Sequence, residues 1–160
     1  MKLMSKYEDK AKTLFKEGYN CAQAVVSAFS DELEIDKETV LKLTSSFGGG
    51  MGRLREVCGA VSGMFMVAGL LKGYVDPQNN QAKTEHYKRI QELARQFKEI
   101  NGSIVCRELL GLSVKSESHT PQLRTEEYYK KRPCAKFVGD AARILEEMIR
   151  QDNIEGSNNK

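Results

Sequence analysis

The stretch GGGMGRLREVCGAVSGMFMVAGLL, Gly48 to Leu71, decides the fold. Its second part, Val57 to Leu71, runs without a single charge. A bilayer span needs roughly 20 apolar residues, so this run is too short to cross a membrane. It also carries Gly59, Gly63 and Gly69. A helix from about Glu56 to Lys72 that is apolar on nearly every side belongs inside a bundle. Gly59 and Gly63 lie four apart on one face, where the lack of side chains lets a backbone or a bulky group come close. The glycines of Gly48 to Gly52 break whatever helix precedes them.

Working outward, the apolar spacing predicts further helices on both sides. Tyr7, Ala11, Leu14 and Phe15 share one face, which gives a first helix over about Ser5 to Glu17, ended by Gly18. Asn20 caps a second, with Cys21, Ala24, Val25, Ala28 and Phe29 inward. Asp36 caps a third that carries Val40, Leu43 and Phe47. Asp76-Pro77 marks a turn before a long charged helix, Gln78 to Ile100, with Ile90, Leu93, Ala94 and Phe97 as its stripe. Ser103 caps a short helix from Ile104 to Leu110, and Leu112 to Arg124 reads as a polar loop. The last helix begins near Pro133, with Cys134, Phe137, Val138, Ala141, Leu145 and Met148 facing inward. No strand pattern emerges. The expectation is an all-α, single-domain helical bundle with a central apolar glycine-containing helix, over residues 1–152, followed by a flexible tail at 153–160.

The totals fit that reading. The chain has 160 residues, of which 40% are hydrophobic and 29% charged, with only three prolines. This is an ordinary globular composition with room for one core. A net charge of +3 spread without a saturated basic face gives no case for nucleic acid. The short cluster Lys130-Lys131-Arg132 reads as solvated surface. Met1 to Lys12 is charged and has no apolar signal core, so a cytoplasmic location with reduced cysteines is expected. The apolar helix content allows a homodimer. The chain has no P-loop lysine motif, no G-x-S-x-G elbow and no H-E-x-x-H.

The chemistry-bearing residues are Cys21, Cys58, Cys106 and Cys134. Each falls in the first turn of a predicted helix and on its apolar stripe. Helix starts offer unpaired N–H groups and a positive dipole end, both of which stabilise a thiolate. Arg53 and Arg55 add positive charge near Cys58, and Lys130 to Arg132 near Cys134. Burial opposes these effects by favouring the neutral thiol. No pair has CxxC spacing, so the fold itself must assemble any cluster. Taken one at a time, small buried cysteines are ordinary core residues. His86 on a charged helix and His119 in a polar loop read as solvated. Met64 and Met66 read as core, while Met51 in the glycine loop stands where it can cover a site.

The segments GYNCAQAVVSAF, GGGMGRLREVCGAVSGMFMVAGL, CRELLG and KRPCAKFVGDAARIL together resemble the redox-active proteins known by the cysteine signature C_GCAxxG_C_C. The resemblance spans about Gly18 to Leu145, with four cysteine contexts in the family's order. The central motif here reads Cys58-Gly59-Ala60-Val61-Ser62-Gly63, with Cys ahead of Gly where the label has the reverse. The resemblance implies redox activity through the cysteines; some members are selenoproteins. Similar domains occur in proteins with iron–sulfur or haem groups, although this chain has no CxxCH for haem attachment.

Three functions follow as expectations. The first is thiol redox chemistry, with Cys58 attacking a disulfide or oxidant, another of Cys21, Cys106 and Cys134 resolving, and an unidentified redox partner. Arg53 and Arg55 would activate the thiolate there, and Gly59 and Gly63 would leave room for substrate. The second is a binding module in which Cys21, Cys58, Cys106 and Cys134 hold zinc or an iron–sulfur cluster for electron transfer. The third is a structural or interaction protein with buried cysteines and no chemistry.

Overall fold

The computed structural model describes residues 5–159. Residues 1–4 of the expected domain and Lys160 of the expected tail lie outside the described residues. The chain folds as helices α1 (Lys6–Lys16), α2 (Cys21–Ala28), α3 (Lys37–Ser45), a one-turn element α4 (Gly48–Met51), α5 (Gly59–Lys72), α6 (Asn80–Asn101), α7 (Cys106–Leu109), α8 (Glu126–Lys131) and α9 (Cys134–Asn158). The fold is all-α. No strand occurs among the described residues beyond one isolated antiparallel bridge, Val57 to Val105. No described helix is long and apolar enough to cross a membrane.

The predicted caps Asn20 and Asp36 operate, and Ser5 caps the first helix. Ser5 Oγ accepts from the Glu8 N–H, and Asp36 accepts from Thr39. Asn20 and Gln23 form a reciprocal capping box at the start of α2. The same two side chains tie α2 to α3, since Asn20 donates to the Ser45 carbonyl and Gln23 to that of Leu41. The core is one cluster in which α1 packs along α9, and α5 lies against α2, α6 and α9. Phe15, Phe29, Met64, Leu93 and Phe97 are fully buried. Each contributes on the order of 1.5–3 kcal/mol. α5 is buried from Gly59 through Met64 and again at Val67 and Ala68, but α2 is buried as heavily, and Leu70 is half exposed. The glycines Gly59 and Gly63 explain how these two helices approach. A Cβ on Gly59 would lie 3.0 Å from Cys21 Cβ, and one on Gly63 would lie 3.1 Å from the Ala22 carbonyl oxygen.

Several boundaries differ from the sequence expectation, each for a local reason. α5 begins at Gly59 rather than near Glu56, because the backbone ahead of it is engaged elsewhere. The Cys58 N–H donates to the Ile104 carbonyl at 2.8 Å, and the Cys106 N–H donates to that of Glu56 at 2.6 Å. Those bonds take the groups a helix would need. The same pairing shortens the helix expected from Ile104, so α7 starts at Cys106, and the Ser103 hydroxyl instead accepts from the Val105 N–H. On α3 the inner residues are Val40 and Thr44; Leu43 is 51% exposed, and Phe47 falls beyond the helix end. A short helix, α8, fills the stretch between the polar loop and α9, capped by Thr125. α9 continues to Asn158, past the expected boundary at Asn153, with its last residues exposed.

The glycine run is a left-handed turn rather than an open loop. Gly49, Gly50, Met51, Gly52 and Arg53 all have φ between 61° and 69°, and Arg55 follows at 58°. Left-handed backbone costs an L-residue with a Cβ about 1–2 kcal/mol, so Met51, Arg53 and Arg55 hold strain. The turn is closed by long-loop hydrogen bonds, from Arg55 N–H to the Gly49 carbonyl and from Glu56 N–H to that of Gly50.

Candidate functional site

All four cysteines line a single cavity of about 270 Å³. Cys21 is the first residue of α2, Cys106 of α7 and Cys134 of α9, while Cys58 is the N-cap of α5. All four are free thiols, Cys21 half-buried and the others buried. Local backbone explains the convergence. The bridge between Val57 and Val105 sets Cys58 and Cys106 side by side in the fold. The tight contact at Gly59 brings Cys21 in, since a Cβ there would stand 3.0 Å from that of Cys21. Gly50 does the same for Cys106, whose Cβ lies 2.7 Å from where a Gly50 side chain would begin.

The thiols differ sharply in their surroundings. The Cys21 and Cys134 thiols share one proton-linked hydrogen bond. That bond is the main reason the Cys134 thiol is lowered to about 7, with Arg132, Arg55 and Arg124 assisting against the cost of burial. The same bond and burial hold Cys21 well above the ordinary thiol range. Burial pushes Cys58 up to about 12, although the N–H groups of Ala60 and Val61 face its sulfur. Cys106 is raised by burial despite the Arg55 guanidinium, whose Nη1 lies 3.5 Å from its sulfur. Of the four, Cys134 is the thiol whose surroundings favour ionisation. At Cys58, the nucleophile expected from the sequence, desolvation outweighs the helix start and favours the neutral thiol.

The arginines are placed differently from the sequence reading. Arg55 is 5% exposed and serves Cys106, not Cys58, while Glu117 accepts from its Nε at 2.6 Å. Arg53 donates to the Ser118 carbonyl at 2.6 Å and pairs with Glu117 at 3.4 Å. Both line the cavity. Gly59 lines it too. Gly63 does not; the space beside it belongs to Ala22 and Val25 of α2, so it is a packing residue rather than a substrate contact. Of the basic cluster, Arg132 acts on Cys134, whereas Lys131 turns outward to Glu127.

Sequence reasoning missed Arg124, Tyr128 and Phe137 as cavity residues, and Glu117 behind them; His119, read as solvated, is exposed but also lines the cavity. Arg124 packs over the rings of Phe15 and Tyr128, 4.5 and 4.8 Å from their centroids, and donates to the carbonyls of Phe15 and Tyr19. The adjacent aromatic pair Tyr128-Tyr129, four residues beyond a lone arginine, was the available signal.

Among the described residues no group of three or more His, Cys, Asp or Glu side chains is arranged to hold a metal ion. Cys21 and Cys134 instead meet as a pair. The fold and the cavity thus define a helical protein with a clustered-thiol site. The chain belongs to the C_GCAxxG_C_C family: residues 19–148 match the family model described as "Putative redox-active protein (C_GCAxxG_C_C)". No curated protein and no solved structure matches the chain.

Proposed function

We propose that the chain carries out thiol–disulfide exchange, with Cys134 as attacking thiolate and Cys21 as resolving thiol. The observation that carries this reading is the convergence of four free thiols on the wall of one cavity, where Cys21 begins α2 and Cys134 begins α9. An attacking thiol works best when its pKa lies near ambient pH, because it is then ionised yet still nucleophilic. Cys134 attacks one sulfur of a substrate disulfide and displaces the other as a thiolate. Cys21 then attacks Cys134, its proton passing to a departing thiolate, and the Cys21–Cys134 disulfide forms. Two electrons pass from the cysteine pair to the substrate, and an external dithiol restores the pair. Arg132, Arg55 and Arg124 hold the Cys134 charge, and Arg55 orients Cys106 beside it.

The test is direct. Reduced protein is treated with one equivalent of hydroxyethyl disulfide under anaerobic conditions, then alkylated, digested and mapped. The expected product is a Cys21–Cys134 disulfide. Cys21→Ser is expected to trap a mixed disulfide on Cys134, seen as a mass increase, and Cys134→Ser to prevent both. A mixed disulfide found on Cys58 in the Cys21→Ser protein would overturn the assignment.

A further inference from the structure

The lining of the cavity carries a charge bias that the exchange chemistry alone does not require. Arg53, Arg55 and Arg124 line it, and no aspartate or glutamate does. Glu117 pairs with Arg53 and Arg55 from outside the lining and offsets one of their charges. Arg124 makes no carboxylate pair, since both of its hydrogen bonds go to neutral carbonyls, and the Cys134 thiolate offsets only one of the remaining positive charges. Gly48, Gly49 and Gly50 also line it, with Gly49 beside Arg53 and Arg55. There the chain switches from right-handed backbone at Phe47 to left-handed at Gly49. Successive N–H groups at such a switch turn to one side and form a concavity suited to anions. Positive side chains in a walled cleft focus the field and raise the local concentration of anions.

Size narrows the class further. At about 30 Å³ per water, the cavity of about 270 Å³ holds on the order of nine waters. That suits a compact molecule with a central S–S bond and a short acidic arm on each side. Resting on the thiol-exchange reading above, we propose that this cavity selects small anionic disulfides as its substrate. Such a molecule places its S–S bond at Cys134 and its acid groups against the arginines and the glycine turn. The balance is one Cys134 thiolate, one Cys21 thiol and one disulfide giving the Cys21–Cys134 disulfide, one small thiolate and one small thiol.

The experiment compares three disulfides of similar reach and different charge on the full reduced chain: dithiodipropionate, a dianion; hydroxyethyl disulfide, neutral; and cystamine, a dication. The rate of Cys21–Cys134 bond formation is followed at low salt. The dianion is expected to react about tenfold or more faster than the dication, with the neutral molecule between and the spread shrinking as salt rises. Suberate, which matches the dianion but lacks the S–S bond, is expected to slow the dianion reaction in a saturable way. Arg53→Asn, a residue that tolerates left-handed backbone, is expected to narrow the dianion-to-dication ratio. Equal rates for the three, a faster dication, or no effect of suberate would sink the charge selectivity while leaving thiol exchange standing. Failure of all three to form the Cys21–Cys134 bond overturns the exchange reading, and the selectivity falls with it.

Discussion

Replacing Cys21 with alanine isolates the interaction on which the reactive thiolate depends. The Cys21 S–H is the leading cause that holds Cys134 at about 7, ahead of the arginines. A hydrogen bond to a charged group contributes about 1.5–3 kcal/mol, and one pH unit corresponds to about 1.4 kcal/mol. Removing the donor should therefore move the Cys134 titration up by about one to two pH units. At pH 7 the ionised fraction would fall from about a half to about a tenth or less. The assay is the pH dependence of Cys134 alkylation by iodoacetamide, followed by peptide mass, with thiolate absorbance as a second readout. Cys21→Ser is the control. Its hydroxyl also donates, so most of the lowering should persist although resolution is lost. Arg132→Gln should move the profile in the same direction by less, since Arg132 ranks behind the Cys21 bond. If Cys21→Ala leaves the profile where it was, the contact between the two thiols does not set the reactivity, and the reasoning built on it is wrong.

Three further outcomes follow from other parts of the site. Gly50→Ala should destabilise far more than Gly52→Ala. Both positions are left-handed, which costs about 1–2 kcal/mol, but at Gly50 the new methyl also meets Cys106 Cβ at 2.7 Å and the Glu56 nitrogen at 2.8 Å, for about 1–3 kcal/mol more. At Gly52 it meets only the Ser46 carbonyl oxygen at 3.9 Å, and equal urea midpoints for the two variants would contradict this packing. Arg55→Gln should lose about 1.5–3 kcal/mol, because it removes a buried cation bonded to both Glu117 and Cys106, and the Cys106 thiol should become harder to ionise in alkylation profiles. Stability of the reduced protein should fall as pH rises from about 9 toward 12. Cys58 keeps its proton in the folded chain up to about 12 but loses it near 9 when unfolded, so the unfolded state binds fewer protons across that window. Denaturant titrations at pH 8 and 10 measure this, and Cys58→Ala should flatten the slope by up to about 1.4 kcal/mol per pH unit.

Much of the architecture is legible because helices are local objects. Ser5, Asn20 and Asp36 cap where their short polar side chains reach the backbone two or three residues on, and no tertiary partner is needed for that. The stripe from Cys134 to Leu145 follows from a period of 3.6 and faces the core as that period requires. The four cysteines near helix starts are readable in the same way, because cap residues and glycine breaks stand beside them. Where local signals compete with distant ones, the reading slips. Nothing near Glu56 announces that its carbonyl will accept from Cys106, fifty residues away, yet that bond moves the start of α5 and makes Cys58 a cap.

The order of reactivity among the thiols belongs wholly to the tertiary structure. Sequence neighbours favour Cys58, with Arg53 and Arg55 just upstream. In space Arg55 turns to Cys106 and Glu117, Arg124 arrives from a polar loop, and Cys21 meets Cys134 across two helices. Ionisation depends on desolvation and on charges within a few ångströms, and neither is a function of distance along the chain. The sequence alone determined the longer helices, the caps Asn20 and Asp36, and the number of thiols. Only the packing of α2 against α5 and α9 decided how deeply each sulfur is buried and which cations stand beside it, because those are properties of neighbours the chain acquires by folding.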